Sequence, residues 1–130
     1  MLRRLTKAQR LEVHDRYGGR CGYCGNPLGK SWCCDHVEPV MRGWNDAELA
    51  RYGLKRGEHG PANWMPACAR CNQWKASMSL ELFRCEIRTQ AARLLRDSPQ
   101  YRLAHDFGVV KAVVSPRVRF HFEEVQLDRA

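Results

Sequence analysis

The sequence lacks the features that mark membrane proteins and secreted proteins. Its 130 residues contain no apolar run of about 18 residues, the length typical of a transmembrane helix. The first ten residues, MLRRLTKAQR, carry positive charge but no apolar stretch like that of a secretory signal. The chain also has no internal repeat and no low-complexity tract. These absences predict a protein that does not enter a membrane and has an intracellular, cytoplasmic location.

Acidic residues are scarce relative to basic ones. The chain has 22 Lys and Arg against 14 Asp and Glu, which gives a net charge of +8. The basic residues are spread along the chain rather than gathered in a tail. This spread favours a basic face on a folded body and a nucleic acid as the partner. Charge alone is equally compatible with a merely soluble basic protein.

The absence of a secretory signal argues against a disulfide framework, and so does the odd number of cysteines, which is seven. Four of them form two Cys-x-x-Cys pairs, Cys21 with Cys24 and Cys68 with Cys71. Two residues between cysteines let one turn present both sulfurs to a single ion, and two such pairs complete a tetrahedral zinc site. We therefore predict a structural zinc with no open coordination position. Cys33, Cys34 and Cys85 are interpreted as small buried apolar residues, with partial exposure left open for Cys85.

Local signals predict a helix, a strand and a second short helix before the second cysteine pair. Thr6 and Gln9 have capping-box spacing, which predicts a helix over about 6–17 that the following glycines end. A short strand is expected over about 32–37. The stretch NDAELARYG combines an Asn cap, a Glu three residues later and a Gly stop, and so predicts a short helix.

The C-terminal part predicts a long helix followed by a strand. Ser79 is the expected cap of a helix that Pro99 ends, with apolar residues recurring every three or four positions. The stretch VRFHFEEV alternates apolar and polar residues, as a half-buried strand does. We expect one domain over 1–130, with a core at about 20–76, the N-terminal helix at about 6–17 and a C-terminal extension at about 79–126.

The stretches CGYCG, CCDHVEPV and ANWMPACARCNQWK together resemble the HNH endonucleases, which have the ββα-metal fold. The shared pattern is a cysteine pair, then Asp-His-x-x-Pro, then an Asn, then a second cysteine pair followed by Asn-x-x-Lys. The covered part is about 20–75, under half of the chain, and the C-terminal part more weakly resembles small phage-type members. The matching residues are Cys21, Cys24, Asp35, His36, Pro39, Asn63, Cys68, Cys71, Asn72 and Lys75.

The resemblance implies an α+β fold: a ββα-metal core with a structural zinc, flanking helices and a short C-terminal strand. It implies a DNA endonuclease with His36 as the general base. Asp35 and Asn72 would hold one divalent cation, Mg²⁺ or Mn²⁺, and Asn63 would tie the loop that positions His36. Some members have His at the position of Asn72, and the amide oxygen found here favours a hard cation.

Four residues are expected to contact nucleic acid: Lys75, Arg42, Arg70 and Trp44. Lys75 lies one turn after Asn72 on the predicted helix, where its structural alternative is a solvated charge. The structural alternative for Asn63 is a turn residue. The expected partner is double-stranded DNA, whose phosphates attract basic residues. A homodimer, or a place in a phage packaging or repair complex, is left open.

Two other functions match parts of the pattern. A non-catalytic zinc-dependent nucleic-acid-binding module would keep the zinc scaffold, but it has no need of Asp35, His36 and Asn72 together. A zinc deaminase combines His-x-Glu with a Pro directly before Cys-x-x-Cys, whereas here Ala67 intervenes before Cys68. The nuclease is therefore the preferred interpretation, and the binding module is the alternative.

Overall fold

The computed structural model describes residues 2–129, and in that range the chain forms seven α-helices and two β-strands. The strands are β1 (Cys33–His36) and β2 (Trp64–Ala67). The helices are α1 (Lys7–Asp15), α2 (Asp46–Arg51), α3 (Ala69–Lys75), α4 (Leu80–Arg88), α5 (Gln90–Asp97), α6 (Pro99–Asp106) and α7 (His121–Arg129). This mixture of helices with a small sheet confirms the predicted α+β class. None of the described helices is long and apolar enough to cross a membrane.

The chain divides into two compact units. The first comprises the residues up to Leu80 together with those from Phe120 onward, and the second comprises Glu81–Arg119. The first unit contains both strands and both cysteine pairs. The second contains most of α4 and all of α5 and α6. Every predicted site residue therefore lies in the first unit.

The sheet of the first unit is antiparallel. Cys33 pairs with Ala67, and His36 pairs with Trp64 at the other end. All four residues of β2 are buried, so this strand forms the centre of the core. α3 follows β2 directly, and the Cys68 sulfur caps it by accepting a hydrogen bond from the Cys71 N–H. The paired strands β1 and β2, with α3 directly after β2, form the predicted ββα arrangement.

Both predicted capping boxes are present. The Thr6 hydroxyl accepts from the Gln9 N–H at 3.1 Å, and the Gln9 side chain accepts from the Thr6 N–H at 2.8 Å. Asn45 and Glu48 form the same reciprocal pair at the start of α2. Arg16, just after α1, donates to the Trp64 carbonyl at 2.6 Å. This bond fastens the end of α1 to β2.

The second unit departs from the single long helix predicted between Ser79 and Pro99. The helix breaks at Thr89 into α4 and α5, and an ion pair joins Arg93 to Glu86 across the break at 2.6 Å. Pro99 also begins α6, because the first turn of a helix has no use for the N–H that proline lacks. α5 and α6 pack against each other.

The predicted C-terminal strand is wrong, because α7 begins at His121. The Phe120 ring is buried and packs edge-on against Tyr23, with centroids 5.4 Å apart. The Glu123 carboxylate accepts from the Phe120 N–H at 2.9 Å and so caps the start of the helix. Three alternating apolar residues are too few to distinguish a strand from the start of a helix.

Candidate active site and zinc centre

The two cysteine pairs converge in the first unit. The sulfurs of Cys21, Cys24, Cys68 and Cys71 all lie within 4.8 Å of one another, and those of Cys24 and Cys68 are 3.8 Å apart. Tetrahedral zinc with Zn–S bonds of about 2.3 Å needs sulfur separations of about 3.8 Å. The four cysteines therefore fit a zinc ion, as their spacing predicted.

A hydrogen bond couples the ionisation of two cysteines in the cluster. The hydrogen bond with Cys71 lowers the pKa of Cys21 to about 4, and the same contact raises the pKa of Cys71. One thiol of this pair thus ionises at the expense of the other, and four thiolates require a cation between them. Arg70 is exposed beside the cluster, where its hydrogen bond with Cys24 raises the pKa of the guanidinium.

The three cysteines outside the cluster differ in exposure. Cys33 and Cys34 are half-buried in β1, and burial raises the pKa of Cys34 to about 11. Cys85 on α4 is exposed, so it is not a buried residue, and the alternative left open for it applies. A thiol with a pKa as high as that of Cys34 is largely protonated at pH 7 and therefore a weak nucleophile.

Asp35, His36 and Asn72 line one cleft of about 490 Å³. Asp35 and His36 are the last two residues of β1, and Asn72 lies on α3. Neighbouring residues of a regular strand point to opposite faces, yet both residues line the cleft at the end of the strand. Arg42 and Trp44 are exposed on the loop that lines the same cleft. The structure thus gathers the predicted base, both predicted cation ligands and two predicted nucleic-acid contacts.

The Asp35 carboxylate is held by two buried donors. Tyr23 donates its hydroxyl to Oδ2 at 2.6 Å, and the Lys75 ammonium lies 3.0 Å from the same oxygen. Burial and the Asp35 charge both raise the pKa of Tyr23, so its hydroxyl stays protonated. Lys75 is fully buried and also donates to the His36 carbonyl at 2.9 Å. The prediction that Lys75 faces phosphate therefore needs correction, since its ammonium group is inside the protein.

His36 is half-buried and contacts a second histidine. Its Nε2 lies 2.9 Å from Nδ1 of His59, and Nε2 of His59 lies 2.8 Å from the Arg3 carbonyl oxygen. Burial lowers the pKa of His36, and His59 lowers it further, so the imidazole is neutral at pH 7. The sequence reasoning missed His59, which lies in an irregular segment that no periodic pattern marks.

Asn63 ties together the loops on either side of the site. Its Oδ1 accepts from the Glu38 N–H at 2.9 Å, and its Nδ2 donates to the carbonyls of Glu38 and Glu58 at 2.9 and 2.7 Å. Gly57 donates to the Pro39 carbonyl at 2.7 Å, and a side chain at Gly57 would collide with the Glu38 carbonyl oxygen. We call these contacts of Asn63 and Gly57 the loop clamp. The clamp holds the residues that directly follow His36. The resemblance implied this role for Asn63.

Arg56 organises the loop that carries Trp44. It donates to the carbonyls of Val40, Met41 and Trp44 at 2.9, 3.1 and 2.5 Å. The Trp44 ring packs edge-on against Tyr52, with centroids 5.7 Å apart. The guanidinium of Arg56 is therefore occupied by the protein backbone.

Comparison with known proteins identifies the region that contains this site. The family model described as HNH endonuclease matches residues 21–77, from Cys21 to just beyond α3. The matched range includes both cysteine pairs, the cleft residues and the loop clamp. This match over 57 of the 130 residues agrees with the family that the resemblance predicted. A search of curated proteins and a search of solved structures found no match.

Proposed function

We propose that the chain is a metal-dependent endonuclease that hydrolyses DNA phosphodiester bonds, by nicking or cleavage. One observation carries the proposal: within an HNH-family region, an imidazole, a carboxylate and an amide line the same open cleft. Phosphodiester hydrolysis needs groups of these kinds, a base for the attacking water and oxygen ligands for a cation at the phosphate.

His36 is the general base of this proposal. Burial keeps its imidazole neutral at pH 7, so one ring nitrogen has a lone pair for the proton of the attacking water. A well-placed general base contributes about 10²- to 10⁴-fold to a rate. The loop clamp, through Asn63, fixes the residues that follow His36 and so limits movement of its ring.

Asp35 and Asn72 are the proposed ligands of one Mg²⁺ or Mn²⁺. Such a cation, when bound, offsets the charge that develops on the phosphate and on the leaving oxygen. Both residues offer oxygen, which hard cations prefer, and Mg²⁺ commonly takes few protein ligands beside water and substrate phosphate. The Lys75 ammonium beside Asp35 weakens the attraction of this carboxylate for a cation. We therefore expect weak cation binding until the substrate adds its phosphate.

Double-stranded DNA is the proposed substrate, approached through the exposed residues of the cleft. Arg42 offers a guanidinium to a backbone phosphate, and Trp44 offers an aromatic face to a base or sugar. Arg70, beside the zinc centre, offers a further positive charge. Phosphate contacts of this kind favour binding to any sequence and make it weaken with salt.

The second candidate is a non-catalytic zinc-dependent nucleic-acid-binding module. The buried pair of Asp35 and Lys75 favours it, because Lys75 already neutralises the carboxylate without a cation. A module of this kind would use the charge and the zinc scaffold, and would leave the cleft residues without a chemical role.

The two candidates are separated by incubating the zinc-loaded protein with supercoiled plasmid and Mg²⁺ or Mn²⁺. Wild type and a His14→Ala control, altered on α1 outside the cleft, are expected to produce nicked or linear DNA. His36→Ala is expected to bind plasmid and leave it supercoiled. Binding without cleavage by wild type in every divalent cation tested would reject the nuclease and favour the module.

A further inference from the structure

The hydrogen bonds around His36 continue through His59 to the N-terminal segment. Nε2 of His36 contacts Nδ1 of His59, and Nε2 of His59 contacts the Arg3 carbonyl oxygen. We call these three groups the histidine chain. Trp64 packs edge-on against the His59 ring at a centroid distance of 5.4 Å and so restricts its orientation. His59 itself lines the cavity next to the cleft.

The Arg3 carbonyl determines which nitrogen donates and which accepts in each hydrogen bond of the histidine chain. A carbonyl oxygen only accepts, so Nε2 of His59 carries the hydrogen of that bond. A neutral imidazole has one N–H, and Nδ1 of His59 is therefore an acceptor. His36 must then donate from its Nε2. This leaves Nδ1 of His36 unprotonated and basic.

We propose that His59 is a positioning residue for the general base. It holds His36 in one orientation and in the tautomer that carries hydrogen on Nε2, so that Nδ1 is the nitrogen available to a water in the cleft. The effect on catalysis rests on the nuclease function proposed above. The tautomer of His36 does not depend on that function, because it is a property of the protein in the absence of DNA and of a catalytic cation.

The expected loss of kcat on removing His59 follows from its role in orienting His36. It touches no reacting atom, so its loss removes orientation and leaves the base itself in place. Partners that orient a functional histidine typically contribute about 10- to 100-fold to activity, and misplacing a reacting group by about 1 Å has a comparable effect. We expect this loss in kcat rather than in KM, because His59 is not proposed to contact DNA.

Two variants separate the polar role of His59 from its packing. His59→Phe keeps a ring against Trp64 but has no acceptor for His36, so kcat should fall about 10- to 100-fold with KM unchanged. His59→Asn places an amide oxygen near the position of Nδ1 and should recover most of the lost kcat. His14→Phe, the matched control on α1, should leave both constants at the wild-type value. Thermal melting of each variant verifies that it folds.

The tautomer is read directly from ¹⁵N chemical shifts of the ring nitrogens in the zinc-loaded wild type, without DNA or Mg²⁺. We expect both Nε2 atoms to carry hydrogen and both Nδ1 atoms to lack it. Hydrogen on Nδ1 of His36, or wild-type kcat in a folded His59→Phe protein, would overturn the proposal. If wild type cuts no DNA, the nuclease proposal fails, while the ¹⁵N shifts still decide the histidine chain.

Discussion

The Lys75 ammonium lies 3.0 Å from Oδ2 of Asp35, and both side chains are buried. Lys75 belongs to α3, and Asp35 belongs to β1. The same ammonium donates to the His36 carbonyl at 2.9 Å. One lysine therefore fastens the helix of the ββα unit to the end of the strand that carries the proposed base.

Lys75→Met should lower the free energy of unfolding by about 3–5 kcal/mol, because it leaves Asp35 buried without its counter-ion. Urea denaturation at pH 7 measures this change. Lys55→Met, which replaces an exposed lysine, is the control and should change stability by no more than about 0.5 kcal/mol. Equal stability of the two variants would mean that Tyr23 alone satisfies the Asp35 carboxylate.

Cys68→Ser should abolish zinc binding and cooperative melting together. Its sulfur is one of four that surround the proposed ion, and it also caps α3. Structural zinc contributes on the order of 10 kcal/mol to the folding of small domains. Metal analysis and thermal melting report the two losses. Cys85→Ser, outside the cluster, should retain zinc and melt like wild type, and the same behaviour in Cys68→Ser would contradict a structural zinc.

Asn63→Ala should reduce both stability and activity, since it leaves the backbone groups of Glu38 and Glu58 without their partner. We expect a loss of about 1–3 kcal/mol in urea denaturation and a lower kcat on plasmid DNA. Asn45→Ala removes a helix cap at a cost of about 1 kcal/mol and should leave kcat unchanged. Equal kcat in the two variants would show that the loop clamp does not position His36.

His36 should titrate below pH 6.5, because burial disfavours its charged form and His59 adds to the effect. NMR titration of the zinc-loaded protein, with the signal assigned by its absence in His36→Ala, measures the midpoint. Since the folded pKa lies below the unfolded value, the contribution of His36 to stability is complete above about pH 6.5. It is lost as the pH falls through the folded pKa. A midpoint above pH 6.5 would mean that the Asp35 charge outweighs burial.

Arg42→Ala should weaken DNA binding and reduce the slope of log affinity against log salt by about 0.9, the value for one phosphate contact. Fluorescence anisotropy over a series of salt concentrations measures both quantities. Arg70→Ala is the comparison, and we expect a smaller change because the Arg70 guanidinium is engaged with Cys24. A larger change for Arg70 would move the proposed DNA contact from the cleft to the zinc centre.

Features that depend on a few neighbouring residues could be predicted from the sequence. The capping boxes at Thr6 and Asn45 fix the starts of α1 and α2 through side chains three residues apart. The two Cys-x-x-Cys turns likewise carry their own geometry, and only their meeting depends on the fold. The residues of the cleft came from the family resemblance, which supplied the pairing of distant segments.

Features that depend on distant contacts could not be predicted in this way. Lys75 looks like any helix lysine until Asp35 of β1 is placed beside it. His59 acquires its partners from residues 23 and 56 positions away along the chain. Phe120 reads as part of a strand, yet its ring packs against distant Tyr23, and the first N–H groups of α7 donate to the carbonyls of Gly22 and Tyr23.

The loop clamp has a consequence for how the protein could diversify. Gly57 hydrogen-bonds to Pro39, and Asn63 hydrogen-bonds to Glu38. The two ends of the segment between Pro39 and Gly57 are therefore held together. That segment carries Arg42 and Trp44, and the loop clamp closes it just after His36. If Arg42 and Trp44 contact DNA as proposed, exchanging this segment would change which duplex is bound and would leave the surroundings of His36 in place.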